Sequence, residues 1–312
     1  MKKLASIFCL SCLTMALSVS AFAQKTQSKD ELLNKIAKMS QTKKSEDQDK
    51  AYQMSKDYLA QYGNDNDENA KKIKEFVEKY RASALNKKLD EGKTAEAFAL
   101  GKEILAQEPE NSYVTMNLAY GGYEALTKKK DKSFAADSLK YANQTLSLFE
   151  AGKLPKTFQP FSNQAEATAL MYYIVGSFAV DDNNKEAAQN FYKALQYDSK
   201  IKNTAYPYYY IALNYEQEYA KAAKAFQDKY GTQVKEDDAM KAENAKLEKL
   251  LDRMLNSYAR LVKIAQTENN PNAAAWKQRY LEIYKFVKQS DAGADEYLSD
   301  AASKPIPDPS SI

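Results

Sequence analysis

The sequence predicts an all-α chain of antiparallel helix pairs stacked into a superhelical repeat array, closed by a long C-terminal capping helix. Three observations predict it. Glycine and proline are scarce, 9 and 8 in 312 residues, which disfavours a sheet-rich fold with many tight turns. From Ala51 onward, apolar residues recur at the three- and four-residue steps of an amphipathic helix. Small residues flank single aromatics, as in Ala187, Phe191 and Ala194, a spacing that lets two helices approach closely.

Residues 1–23 have the form of a cleaved signal peptide. Met1-Lys2-Lys3 is cationic, Leu4 to Val19 is uncharged, and Ala21 and Ala23 make the small-x-small pattern cut before Gln24. The expected localisation is therefore export, periplasmic or secreted. A membrane-spanning helix is disfavoured by the short uncharged run before Lys25 and the lack of a stop-transfer pattern. Lipid attachment at Cys12 is disfavoured because Cys9 stands where a lipobox has Leu.

Cleavage would change the chemistry more than the length. Both cysteines, Cys9 and Cys12, lie in the removed segment, and the chain has no histidine. The mature chain would thus lack a thiol nucleophile, a disulfide, an imidazole base and a Cys/His metal site. Losing Lys2 and Lys3 takes the formal charge from +3 to +1, too close to neutral to suggest nucleic acid through bulk electrostatics.

Residues 24–48 are polar and lysine-rich, with one apolar patch at Leu32, Leu33 and Ile36, and read as a tether with at most one short helix. Residues 49–230 carry the repeats. Tyr52, Tyr58, Leu59 and Tyr62 form a first stripe ended by Gly63; Asp65 or Asp67 then caps a helix with Ile73, Phe76, Val77 and Tyr80 on one side. The "DNDEN" run fails as a calcium loop, because Ala70 and Phe76 stand where Gly and Glu are needed. Gly92 ends a helix, Thr94 is the expected next N-cap, and Pro109 stops the helix that follows. The longest break, 149–163, holds Gly152, Pro155 and Pro160, with Ser162 as the expected cap beyond it. Asn183 and Glu186 have capping-box spacing.

Residues 231–290 are expected to cap the array. Met240, Asn244, Leu247, Leu251, Met254, Tyr258, Leu261 and Ala265 make a four-three seam that a coiled-coil homodimer could also use. Leu250, Leu255, Val262 and Ile264 widen it into a face suited to packing within one chain. Asn270-Pro271 opens a last helix over Trp276–Val287, and 291–312 reads as a flexible tail.

The stretch Ala187-x3-Phe191-x2-Ala194, preceded by Tyr172, Val175, Gly176 and Ala179, resembles the tetratricopeptide repeat. The next first helix repeats the template with Tyr208, Ile211, Ala212 and Tyr215. Gly176 to Ala212 spans 36 residues, against a family period of about 34. Weaker copies run upstream through Leu118-Ala119 with Ala135, Leu139 and Ala142, and through Ser83-Ala84 with Ala97, so the resemblance covers about 66–230. Two departures are Ser199 in place of the closing Pro and Gly101 in place of an aromatic.

The resemblance implies a concave inner face. Its exposed positions would be Tyr113, Met116, Tyr120 and Tyr123 in one copy, Tyr173 and Ser177 in the next, and Tyr206, Tyr209, Leu213 and Glu216 in the last. Tyr208 and Tyr215 would instead fill the core. Tyrosine offers large contact area at low rotamer cost, which suits a protein or peptide partner. The basic carboxylate clamp of chaperone-binding members is missing from these positions. No nucleophile elbow, phosphate-binding loop or metal-ligand spacing occurs, so the expectation is a non-enzyme without cofactors. The rival expectations are a self-associating structural protein of the envelope, and a small-ligand or glycan binder that stacks on the tyrosines.

Overall fold

The computed structural model describes residues 28–65, 67–232 and 237–310. The expected signal peptide and both cysteines lie outside the described residues. Among those described, every regular element is a helix. They are α1 (Lys29–Ser40), α2 (Ser45–Tyr62), α3 (Glu68–Asp90), α4 (Thr94–Gln107), α5 (Ser112–Lys129), α6 (Ala135–Glu150), α7 (Gln164–Ala179), α8 (Asn184–Gln196), α9 (Ala205–Tyr230), α10 (Asp238–Thr267), α11 (Ala273–Lys288) and α12 (Ala294–Ala301). The chain divides into two compact units between Tyr80 and Arg81, inside α3.

In the first unit the expected tether is a packed helix over most of its described length. Leu32 and Ile36 of α1 are buried with Tyr58 of α2 and Ala70 and Ile73 of α3. Ser28 begins α1 as its N-cap, accepting from the Glu31 N–H at 3.2 Å, and the Ser28-x-x-Glu31 spacing is a helix-start signature. The Lys29 ammonium reaches Asp65 at 2.5 Å and Asp67 at 2.7 Å. Asp67 also accepts from the Ala70 N–H at 2.7 Å, so the acidic run is a helix cap closed by a lysine. Tyr52 and Tyr80 stack with ring centroids 4.4 Å apart.

In the second unit, helices adjacent in sequence pack as neighbours: α5 on α6, α7 on α8, α9 on α10, and α10 on both α11 and α12. Glycine and alanine set the closest approaches. A Cβ on Gly176 would meet the Phe191 ring at 3.0 Å, and one on Gly101 would meet Leu118 at 2.7 Å. Gly101 therefore makes room for Leu118 where the repeat pattern has an aromatic. Ala187, Phe191, Ala194 and Ala212 are fully buried.

One continuous core joins Phe191 of α8, Ile211 and Tyr215 of α9, Leu255 and Tyr258 of α10, Tyr280 of α11 and Leu298 of α12. The α10 seam divides. Met240, Asn244 and Leu247 are partly exposed, whereas Met254, Tyr258, Leu261 and Ala265 are buried against the chain itself.

Four local expectations are corrected. The 291–312 stretch is packed rather than flexible through residue 310: α12 buries Ala294, Leu298 and Ala301, and Pro309 is buried too. Asn163, not Ser162, caps α7, because its side chain accepts from the Glu166 N–H at 3.0 Å. Thr94 is the first helical residue of α4 rather than its cap, and Asn270 turns the chain by accepting from the Asn272 N–H at 3.0 Å. Asn183 does cap α8, accepting from the Glu186 N–H at 3.2 Å.

Candidate functional site

The first helices of successive pairs bring their tyrosines together. Tyr123 on α5 meets Tyr173 on α7 edge-on at 6.0 Å, and Tyr173 meets Tyr206 on α9 at 6.0 Å. The rings continue through Tyr210, 4.8 Å from Tyr206, to Tyr209 at 5.1 Å from Tyr210, and end with Tyr209 stacked on Trp276 of α11 at 5.4 Å. Phe191 underlies the strip, 5.6 Å from both Tyr173 and Tyr206. Edge-to-face and offset pairs at these distances hold the rings in fixed orientations.

Tyr206 is the most open ring, 38% exposed, while Tyr123, Tyr173, Tyr209, Tyr210 and Trp276 are each half-buried. Burial pushes the Tyr173 and Tyr206 hydroxyls well above the usual tyrosine value, with neighbouring tyrosines adding to the shift. Both stay neutral donors through the physiological range, so the strip offers apolar faces edged by hydroxyls.

The strip ends at a charged clamp. Glu216 accepts from the Tyr258 hydroxyl at 2.5 Å and from Arg279 Nη2 at 2.5 Å and Nε at 3.1 Å. Arg279 Nη1 also reaches Glu282 at 3.0 Å. Glu216 was expected as an open acid in the groove; it is instead a paired carboxylate that ties α9 to α10 and α11.

Not every expected residue joins the strip. Met116 is 0% exposed, because α5 is covered around most of its circumference, Val114 through Ala119 all being buried. It belongs to the core, not to a concave face. Ser177 is half-buried and donates to the Tyr173 carbonyl at 2.8 Å, a bond within its own helix. Leu213 is half-buried on α9.

Tyr113 and Tyr120 lie nearer a different feature, a cleft of about 510 Å³ whose lining includes Asn86, Asp90, Asn117, Tyr120, Glu124 and Pro160. The Tyr120 hydroxyl donates to Glu124, and its ring meets Phe161 edge-on at 5.4 Å. Asn86 donates to the Tyr113 hydroxyl at 2.5 Å, leaving its buried Oδ1 without a hydrogen-bond partner.

Sequence reasoning missed Tyr210, Trp276 and Arg279. Tyr210 stands next to Tyr209 in the same tyrosine run, and a wider stripe would have included it. Trp276 and Arg279 come from α11, more than sixty residues from their partners on α9, and no local pattern marks such a meeting. Among the described residues, no group of three or more Asp, Glu, His or Cys is placed to hold a metal ion. No described helix is long and apolar enough to cross a membrane. The chain matches no protein-family model, no curated protein and no solved structure.

Proposed function

We propose that this chain is a non-catalytic, exported scaffold of the tetratricopeptide type, which binds a protein or peptide along the tyrosine strip. The observation that carries this reading is the unbroken ring-to-ring path from Tyr123 to Trp276 across four helices. Rigid aromatic area with hydroxyls at its edge recognises an extended polypeptide at low entropic cost. The pairing of α5 with α6, α7 with α8 and α9 with α10, and the small residues at their crossings, support the repeat assignment. The leader-like residues 1–23 support export.

The test places a photo-crosslinking residue at 206 or 123, with 185 on α8 as the control, in cells making the full chain. Discrete protein adducts from 206 and 123 but not from 185 are expected. Adducts of equal pattern from all three positions would sink the reading. A second reading, a small polar ligand such as a sugar, is favoured by the cleft beside Tyr120 and the unpartnered Asn86 Oδ1. Calorimetric titration with oligosaccharides separates the two; saturable heat abolished by Asn86→Leu would favour the cleft.

A further inference from the structure

A second track runs over the same unit, away from the strip. Residues 304–310 read Lys-Pro-Ile-Pro-Asp-Pro-Ser, with proline at alternate positions. Proline fixes its own φ and drives the residue before it into extended conformations, so 304–309 is held extended before it docks. Proline also has no N–H, which makes such a segment rich in free carbonyl acceptors. The side chains beneath it supply donors. Arg260 donates to the Lys304 carbonyl and, at 3.2 Å, to that of Pro305. The Tyr215 hydroxyl donates to the Pro307 carbonyl at 3.2 Å, and Arg253 donates to the Asp308 carbonyl at 3.3 Å. Ile306 packs against the core between these contacts.

Arg260 decides what can lie there. It is only 7% exposed and forms no ion pair among the described residues. Its acceptors are Asn256 Oδ1 at 2.8 Å and the two carbonyls of the segment. A buried cation stripped of its acceptors is strongly unfavourable, so an occupant has to bring backbone carbonyls in register. A helix or a paired strand has already committed its carbonyls to its own ladder. An alternating-proline segment has not, and its stiffness lowers the entropic cost of docking.

We infer that the track formed by Tyr215, Arg253 and Arg260 is a recognition site for an extended X-Pro-X-Pro-X-Pro segment of another protein, with residues 304–310 as its resident occupant. Being tethered, that occupant competes at an effective concentration in the millimolar range, so an incoming segment binds weakly until residues 304–310 lift away.

The test uses the full chain carrying Ile306→Asp and Pro307→Gly, which unseats the resident segment, and a labelled peptide of sequence Ser-Lys-Pro-Ile-Pro-Asp-Pro-Ser. Fluorescence anisotropy should show saturable binding to the unseated chain and at least tenfold weaker binding to the unaltered one. Adding Arg260→Met should weaken binding at least tenfold again, and a peptide with its prolines replaced by alanine should not bind. A folded, unseated chain that ignores the peptide at millimolar concentration overturns the proposal. Hydrogen exchange on the unaltered chain covers the case in which the variant does not fold. The Ile306 and Asp308 amides should exchange through a local opening, faster than those of buried α10; exchange only with global unfolding would make the segment a fixed part of the core and overturn the proposal.

Discussion

The two faces of α9 use the same amino acid in opposite ways. Tyr208 and Tyr215 are buried, and each satisfies its hydroxyl on a backbone carbonyl, Lys202 at 3.0 Å and Pro307 at 3.2 Å. Tyr206, Tyr209 and Tyr210 touch mainly other rings, and Tyr206 keeps an open face. Leaving the hydroxyl of a buried tyrosine unpaired costs about 1–3 kcal/mol, so an acceptor within reach stabilises it. A half-buried one can leave that bond to water or to a partner. The destination of the hydroxyl thus separates structural from available tyrosines better than their spacing does.

The largest expected effect is common to both faces and is read with pH, because burial raises Tyr206 and Tyr209 as well as Tyr208 and Tyr215. Burial pushes Tyr172 up to about 12 and raises Tyr208, Tyr215, Tyr258 and Tyr280 as well. A folded-state pKa above the unfolded value near 10 means the stabilisation is complete below pH 10 and is lost as pH rises through the folded values. Helical circular dichroism should therefore hold to about pH 10 and collapse above it. Ultraviolet titration should show the raised tyrosines ionising only with that collapse; smooth ionisation of all tyrosines near pH 10 in a folded chain would mean that burial does not hold them neutral.

Tyr215→Ala comes next. It removes a fully buried ring and should cost about 3–5 kcal/mol in chemical denaturation. Ala212→Leu, which overfills the crossing on the same face, should cost about 1–3 kcal/mol. Tyr215→Phe keeps the ring and loses only the bond to Pro307, so about 1 kcal/mol is expected, with faster exchange confined to the 304–310 segment. Tyr206→Ala should fall below about 1 kcal/mol because its ring is already open, and its effect should appear in partner crosslinking instead. A Tyr206→Ala penalty as large as that of Tyr215→Ala would merge the two faces into one.

The helical crossings were the most legible part of the chain. Gly176 and Phe191 meet as their spacing implies, and Ala187 is buried in the same core as Phe191, because close packing of two helices demands small residues at fixed steps. What stayed hidden depends on partners distant in sequence. Nothing near Glu216 announces Arg279, and nothing near Pro307 announces Tyr215, 92 residues earlier. Proline-rich 304–310 has the composition of a loose tail, and only the donors beneath it give it a place. Met116 shows a different failure. Transferring repeat positions to α5 presumed an open side, whereas its neighbours cover that residue completely. The Ser28-x-x-Glu31 signature was readable and would have fixed where the short helix expected within residues 24–48 begins.

The stacking of Trp276 on Tyr209 carries a photophysical consequence. Trp276 is the only tryptophan in the sequence, and a relay of tyrosine rings leads from it across the strip to Tyr123. Light absorbed by those tyrosines drains by resonance transfer into the single indole. The strip is thereby an antenna with one emitter, and the colour and yield of that emission report on whatever lies along it, without any added label.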